Sequence, residues 1–264
     1  MIRLGCCCPV DQAEIARSAG FDYLECTVVS LLPEEGESAF APVRARYREA
    51  PLPVEAFNVF LPRDLKVVGP AVDWLRVERY VAVALARVAE IGARVVVFGS
   101  GGARQTPDGF GREAAEEQLI RFLSLVADHA EAHEITIAIE PLNRQESNML
   151  NSVPEAAALA ERVDRPSVRV LADFYHMQVE GEPLDHIRAH GDRLAHIHVA
   201  DSGRLAPGRG DYPYAAFAAE LAAIGYGARG WSGVSVECRW QDFEREAPEA
   251  VAFLRGIWPA GDGQ

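Results

Sequence analysis

The sequence predicts a (β/α)₈ barrel, a single domain over residues 1–264. Three observations point there. The 264 residues divide into eight units of 33, about the size of one strand-and-helix repeat in that fold. Short strands rich in Val and Ile alternate with helical patterns, as in a parallel sheet. Eight such units close a barrel more often than they build an open sheet. Composition agrees. The chain is 49% hydrophobic and 25% charged, which is ordinary for a globular protein and excludes disorder.

The elements follow in order. Residues 2–8 read as the first strand, and 11–18 as a short helix that Gly20 ends. A second strand covers 21–28, a weakly patterned helix 39–50, and a third strand 54–60. Trp74, Val77, Val81, Ala84, Val88 and Ile91 recur at steps of three and four, a helix that Gly92 closes. The fully apolar 93–100 is the fourth strand. Leu119, Phe122, Leu123, Val126 and Ala130 mark the next helix, and 135–140 the fifth strand. Ser152 and Glu155 form a capping box that opens a helix through Val163. Strands at 168–173, 194–199 and 234–237 follow, separated by helices at 184–190 and 214–224. Pro248 is expected to start the last helix, which ends near Gly256.

The net charge is −13, which opposes binding to nucleic acid or to anionic membranes. No apolar run approaches the roughly 18 residues of a membrane helix. Cys6, Cys7 and Cys8 are adjacent, and Cys26 and Cys238 are remote, so no disulfide framework is expected. The first residues lack a signal-peptide pattern, and a cytoplasmic location is the expectation.

In this fold the chemistry sits where strands end at their C-terminal side. The last polar residues of strands five to eight are Glu140, Asp173, His198 and Glu237, which lie 33, 25 and 39 residues apart. Neighbouring strands are roughly 4.8 Å apart, so the four side chains can converge. Strand parity agrees. Glu140 shares a face with Ala138 and Thr136, and Glu237 with Ser235, while Ile135, Ile137, Ile139, Val234 and Val236 take the opposite face. Three carboxylates and one imidazole suit a hard or borderline divalent cation, Mn²⁺ first, with Mg²⁺, Co²⁺ or Zn²⁺ as alternatives. Without that charge the three carboxylates would not all ionise. Such an ion can also polarise a carbonyl.

Other residues are read more modestly. His196 has the parity of His198, one layer deeper, and reads as a hydrogen-bonded interior histidine. Gly99 to Gly102 lacks a following Lys-Ser/Thr and reads as a tight turn, not a phosphate cradle. Cys238 reads as a buried strand cysteine, not a nucleophile. Phe57 and Asn58 end strand three and are expected to line the pocket.

Four segments also carry a resemblance: IEPLNRQES (139–147), LADFYHM (171–177), HIHVADSGRLAPGRG (196–210) and SVEC (235–238). Together they resemble the xylose-isomerase-like barrels, and most of all the ketose 3-epimerases and hydroxypyruvate isomerases. The resemblance implies that Glu140, Asp173, His198 and Glu237 bind the metal and that the two glutamates move the proton. It implies that Glu146, His176 and Arg204 hold substrate oxygens. The reaction it implies is proton transfer through a cis-enediolate by an isomerase of carbohydrate metabolism, in a homodimer or tetramer. HMQVEGE (176–182) and Cys238-Arg-Trp look closer to hydroxypyruvate isomerases, whereas His198 and Arg204 look closer to sugar epimerases.

Charge separates the two. Glu140, Asp173, Glu237 and Glu146 against a divalent ion and Arg204 leave about −1 around the substrate, which favours a neutral ketose unless Arg63, Arg104 or Arg144 joins in. An inosose dehydratase, a lyase with the same metal site, is a rival. A DNA-repair endonuclease of the same superfamily is disfavoured, because no histidine follows residue 200 and none ends strands three or four. A non-catalytic sugar-binding barrel would have lost a ligand, and none is missing.

Overall fold

The structure, a computed structural model, describes residues 1–228 and 230–259. The expected strands form and pair in chain order: β1 (Arg3–Cys7), β2 (Tyr23–Thr27), β3 (Val54–Asn58), β4 (Val95–Phe98), β5 (Thr136–Ile139), β6 (Val168–Asp173), β7 (Leu194–Val199) and β8 (Gly233–Val236). All pairs are parallel, and β8 returns to β1 with Arg3 opposite Gly233 and Cys6 opposite Val236, which closes the barrel. The sheet thus has no free edge.

Around it lie α1 (Ala13–Ala19), α2 (Glu37–Arg48), α3 (Trp74–Ile91), α4 (Gly101–Arg104), α5 (Arg112–Ala132), α6 (Val153–Val163), α7 (Phe174–Glu180), α8 (Asp185–Ala189), α9 (Tyr214–Ala223) and α10 (Phe243–Ile257). Among the described residues none is long and apolar enough to cross a membrane. The capping box of α6 forms with one change. Ser152 Oγ accepts from the Glu155 amide at 3.3 Å, but Glu155 reaches back to the Asn151 amide at 3.0 Å, one residue beyond the cap.

Two expectations fail. The last helix does not start at Pro248. Asp242 caps it by accepting from the Arg245 amide at 3.3 Å, so α10 begins at Phe243 and runs on through Gly256. An early cap outweighs the proline, whose missing N–H leaves only the Glu244 carbonyl without its helix bond. Helices α4 and α7 were not expected; α7 follows β6 without a break, and α4 begins after Gly99 and Ser100 at the end of β4.

Strand parity holds. Ile137, Ile139, Val234 and Val236 pack in the core between barrel and helices. Tyr23, Ala56, Val95, Val97, Ala138 and Leu171 fill the interior instead. The N-terminal end of the interior is closed. Tyr23 OH pairs with Ser235 Oγ at 2.8 Å, and the Trp231 ring meets Tyr23 edge-on at 5.1 Å. Glycine is required beside this plug. A Cβ at Gly5 would overlap the Tyr23 ring, and one at Gly233 would overlap Trp231.

Candidate metal and proton-transfer site

The four strand-end residues meet at the C-terminal mouth. Glu140, Asp173, His198 and Glu237 each present a ligand-type atom, all within 4.8 Å of one another. His198 Nδ1 lies 3.2 Å from Glu140 Oε1, 3.9 Å from Glu237 Oε2 and 4.0 Å from Asp173 Oδ2. Asp173 divides its two oxygens. Oδ1 caps α7 by accepting from the Tyr175 and His176 amides at 2.7 and 3.2 Å, which leaves Oδ2 for the site. Glu140 needs the residue beside it to be glycine, because a Cβ at Gly99 would overlap its Oε2.

Electrostatics matches a cation site. Burial, followed by the charge of Glu140, pushes the Glu237 carboxyl up to about 7. Burial would raise Asp173 too, but His176 and His198 beside it hold it below the ordinary carboxylate range. Burial would lower His198, yet Glu25 and Glu140 carry it well above the usual histidine value. So in the protein alone a proton on Nδ1 stands where a cation's charge would act. Three carboxylates and one imidazole are the donors a divalent cation takes, and the fit is good.

Glu25 is the residue that sequence reasoning missed. It sits fully buried in β2 and accepts from both inner histidines, His196 Nε2 at 2.7 Å and His198 Nε2 at 2.8 Å. The bond to His198 leaves Nδ1 as the nitrogen facing the carboxylates, the usual way a carboxylate orients a metal-binding histidine. Burial favours neutral Glu25, but the two rings outweigh it and lower its pKa. A signal was available. Within Tyr23–Thr27 Glu25 is the one charged residue, and it has the parity of Tyr23. His196 is the interior histidine expected, held also near Ser235 Oγ at 3.3 Å.

The three residues expected to touch substrate also gather here. His176 Nδ1 faces the Asn143 amide at 3.2 Å and Asn143 Nδ2 at 2.8 Å, so it acts as acceptor. Its Nε2 then carries the hydrogen, is buried 3.7 Å from Asp173 Oδ2, and makes no hydrogen bond among the described residues. Arg204 donates to Glu146 Oε1 at 3.0 Å and to Glu237 Oε2. Of Arg63, Arg104 and Arg144, Arg63 alone lines the cleft, beside Arg204. Arg104 is fully buried and donates to the carbonyls of Phe98 and Glu140 at 2.9 and 2.7 Å, which props up the ends of β4 and β5. Arg144 pairs with Glu180. Cys238 is pushed well up by burial and is no thiolate nucleophile.

Two cavities meet at the site. The first, about 490 Å³, is lined by Glu140, Glu146, Arg204, Glu237, Arg63 and the Ser100–Ala103 turn. The second, about 460 Å³, opens toward β1 and β2. Asn58, Val59 and Glu237 line both.

The family model described as xylose isomerase-like TIM barrel matches residues 13–257. A D-psicose 3-epimerase of Ruminiclostridium cellulolyticum is 34% identical over 161 residues, 53% of this chain and 55% of that protein. An L-ribulose 3-epimerase of a Methylomonas species is 36% identical over 102 residues, 38% of this chain and 36% of that one. A 2-oxo-tetronate isomerase of Pectobacterium atrosepticum is 33% identical over 131 residues, covering 48% and 49%. The chain thus matches about a third to a half of the length of these relatives. Solved structures share the fold throughout. A D-psicose 3-epimerase crystallised with D-fructose gives a TM-score of 0.85 at 20% identity, over 98% of this chain and 100% of the other. The 3-keto-D-glucoside 4-epimerase of E. coli gives 0.81 at 23%, over 97% and 100%. Fold, strand-end geometry and sequence motifs therefore agree, and the chain belongs to the xylose isomerase-like TIM barrel family.

Proposed function

We propose that this protein is a divalent-cation-dependent sugar isomerase, specifically a ketose 3-epimerase that inverts the carbon next to a carbonyl. One observation carries the reading: two glutamates at the ends of β5 and β8, Glu140 buried and Glu237 half-buried, meet at one point with a third carboxylate and an oriented imidazole. Glu140, Asp173, His198 and Glu237 would hold the cation, with Mn²⁺ as the expected ion. When bound, it would supply the positive charge that draws electrons from the substrate carbonyl.

The chain's own groups then do the proton work. One of Glu140 and Glu237 removes the proton from the carbon beside the carbonyl, and the other delivers a proton from the opposite face. Burial raises the proton affinity of Glu237, which suits a group that must both take and give. Arg204, bridging Glu146 and Glu237, holds Glu237 in place and offers its remaining N–H groups to substrate oxygens. His176 Nε2 supplies a further donor for a hydroxyl or carbonyl oxygen.

The similarity to D-psicose and L-ribulose 3-epimerases supports this reading. Of the three arginines that could change the charge balance, Arg104 is spent on carbonyls and Arg144 is paired, while Arg63 lines the cleft beside Arg204; the choice of a neutral ketose therefore rests on the similarity and not on charge. A cytosolic setting fits the five free cysteines, and assembly as a dimer or tetramer belongs to the same proposal. A panel of ketoses incubated in D₂O and read by NMR is the test. Deuterium at the inverted carbon, in a product of otherwise unchanged mass, is expected. A product lighter by one water would replace the epimerase by a dehydratase.

A further inference from the structure

The second cavity poses a question that proton transfer in the first does not answer. The first already holds both glutamates, Glu146 and Arg204. A neutral ketose already fits within this cavity of about 490 Å³, which lies inside the range usual for small ligands, about 300–1,000 Å³. Yet a space of similar size continues past Glu237 between the ends of β1, β2 and β3.

Asn58 stands between the two. It is 6% exposed and lines both cavities. Its Nδ2 donates to Glu237 Oε1 at 3.3 Å, which fixes the orientation of the amide. Its Oδ1 is buried and has no partner among the described residues. A buried acceptor without a donor is costly, so this oxygen calls for a hydroxyl from something that lies across the junction.

The lining of the second cavity says what kind of group goes beyond. Cys7, Cys8, Val10, Cys26 and Val59 are apolar or weakly polar. The Tyr47 hydroxyl is engaged with Ser30 Oγ at 2.6 Å, and Ser30 also donates to the Thr27 carbonyl. Of the charged lining residues Glu25 is spent on two histidines and Glu237 on Arg204, which leaves Asp11 against Arg46, a wall with no excess of positive charge to hold phosphate or carboxylate. Few free hydrogen-bonding groups remain for a bare polyol.

We propose that the second cavity is a subsite for an uncharged, partly apolar group linked through oxygen to the distal end of the keto-sugar. A hydroxyl of that sugar donates to Asn58 Oδ1 as it crosses the junction. The preferred substrate is then an O-substituted keto-sugar, not a free one. This rests on the proton-transfer reading of the first cavity.

The test compares each free ketose that exchanges hydrogen in D₂O with its derivatives carrying O-methyl or O-phenyl at the hydroxyl furthest from the carbonyl. The phenyl derivative is expected to show kcat/KM at least tenfold above the free ketose, with methyl between them. Val10→Trp and Ser30→Phe, made separately, each fill the second cavity from a different side. Each should bring the phenyl and free substrates within about twofold of each other, with turnover of the free ketose as the internal reference. Equal kcat/KM for free and phenyl substrates in the wild type overturns the subsite, and so does a preference that survives both variants. In those cases the free ketose still exchanges, so the proton-transfer reading stands. If no substrate exchanges hydrogen, both readings fall together.

Discussion

Replacing Glu25 by glutamine should weaken cation binding although Glu25 is not one of the four proposed ligands. Its carboxylate accepts from two histidines at once, 2.7 Å from His196 and 2.8 Å from His198. An amide has one acceptor oxygen and one donor nitrogen, so it can serve only one of them in the same way. If the amide nitrogen faces His198, the ring must move its hydrogen to Nδ1, the nitrogen that faces Glu140, Asp173 and Glu237. If the oxygen stays with His198, His196 loses its acceptor in a site with no exposed surface. Loss of such a supporting carboxylate costs about 10–100-fold in metal affinity. That corresponds to about 1.4–2.8 kcal/mol. Titration of metal-free protein with Mn²⁺, followed by electron paramagnetic resonance, measures it. With diamagnetic Mg²⁺ bound in place of Mn²⁺, the ¹⁵N shifts of His198 report the tautomer independently. A glutamine variant with affinity within twofold of wild type and an unchanged tautomer would refute the reasoning.

Gly99→Ala should lower kcat by about 100-fold with secondary structure retained, because the added methyl displaces Glu140 Oε2. Circular dichroism beside a rate assay checks both halves, and an active variant would mean that Glu140 can move freely. In the metal-free protein Glu237 is pushed up to about 7, and His198 is raised as well. Cation uptake must displace these protons, so affinity should fall as pH drops below 7 and proton release should be larger at pH 6 than at pH 8. Calorimetry in buffers of different ionisation heat reads this, and a pH-independent affinity contradicts it. Phe174→Ala removes a fully buried ring stacked on Phe217 at 4.3 Å and flanked by Tyr214 at 5.0 Å. A loss of about 3–5 kcal/mol is expected, lowering Tm by roughly 10 °C; a change under about 1 kcal/mol would show that the site collapses without strain.

Much of the site was legible because period two is a strong code. Knowing that Ile137 and Ile139 face the helices places Glu140 inside, and the same logic places Glu237 opposite Val236. Partnerships across the barrel were not legible. Glu25 meets His198 across 173 positions of sequence, and β2 and β6 each carry a register shift, at Leu24/Glu25 and at Val170/Leu171. No periodicity encodes such shifts. Helix α7 escaped notice because Asp173 is both the last residue of β6 and the cap of the helix, with no turn residue between to announce it. Arg104 stands in a glycine-rich stretch that predicts a turn and an exposed cation. The short α4 folds it beneath the sheet ends instead, where carbonyls replace solvent as its partners and burial lowers its pKa to about 10.

The plug of Tyr23, Ser235 and Trp231 gives the barrel the character of a well with a floor. Whatever enters at the mouth must leave by the mouth, so product departure and substrate entry compete for one passage. Water that would quench a half-finished proton transfer has the same single route. Changes to the loops at the rim can therefore alter traffic and choice of substrate while the chemistry beneath stays as it is. A change at Gly5 or Gly233 would be felt as lost stability before it was felt as lost selectivity.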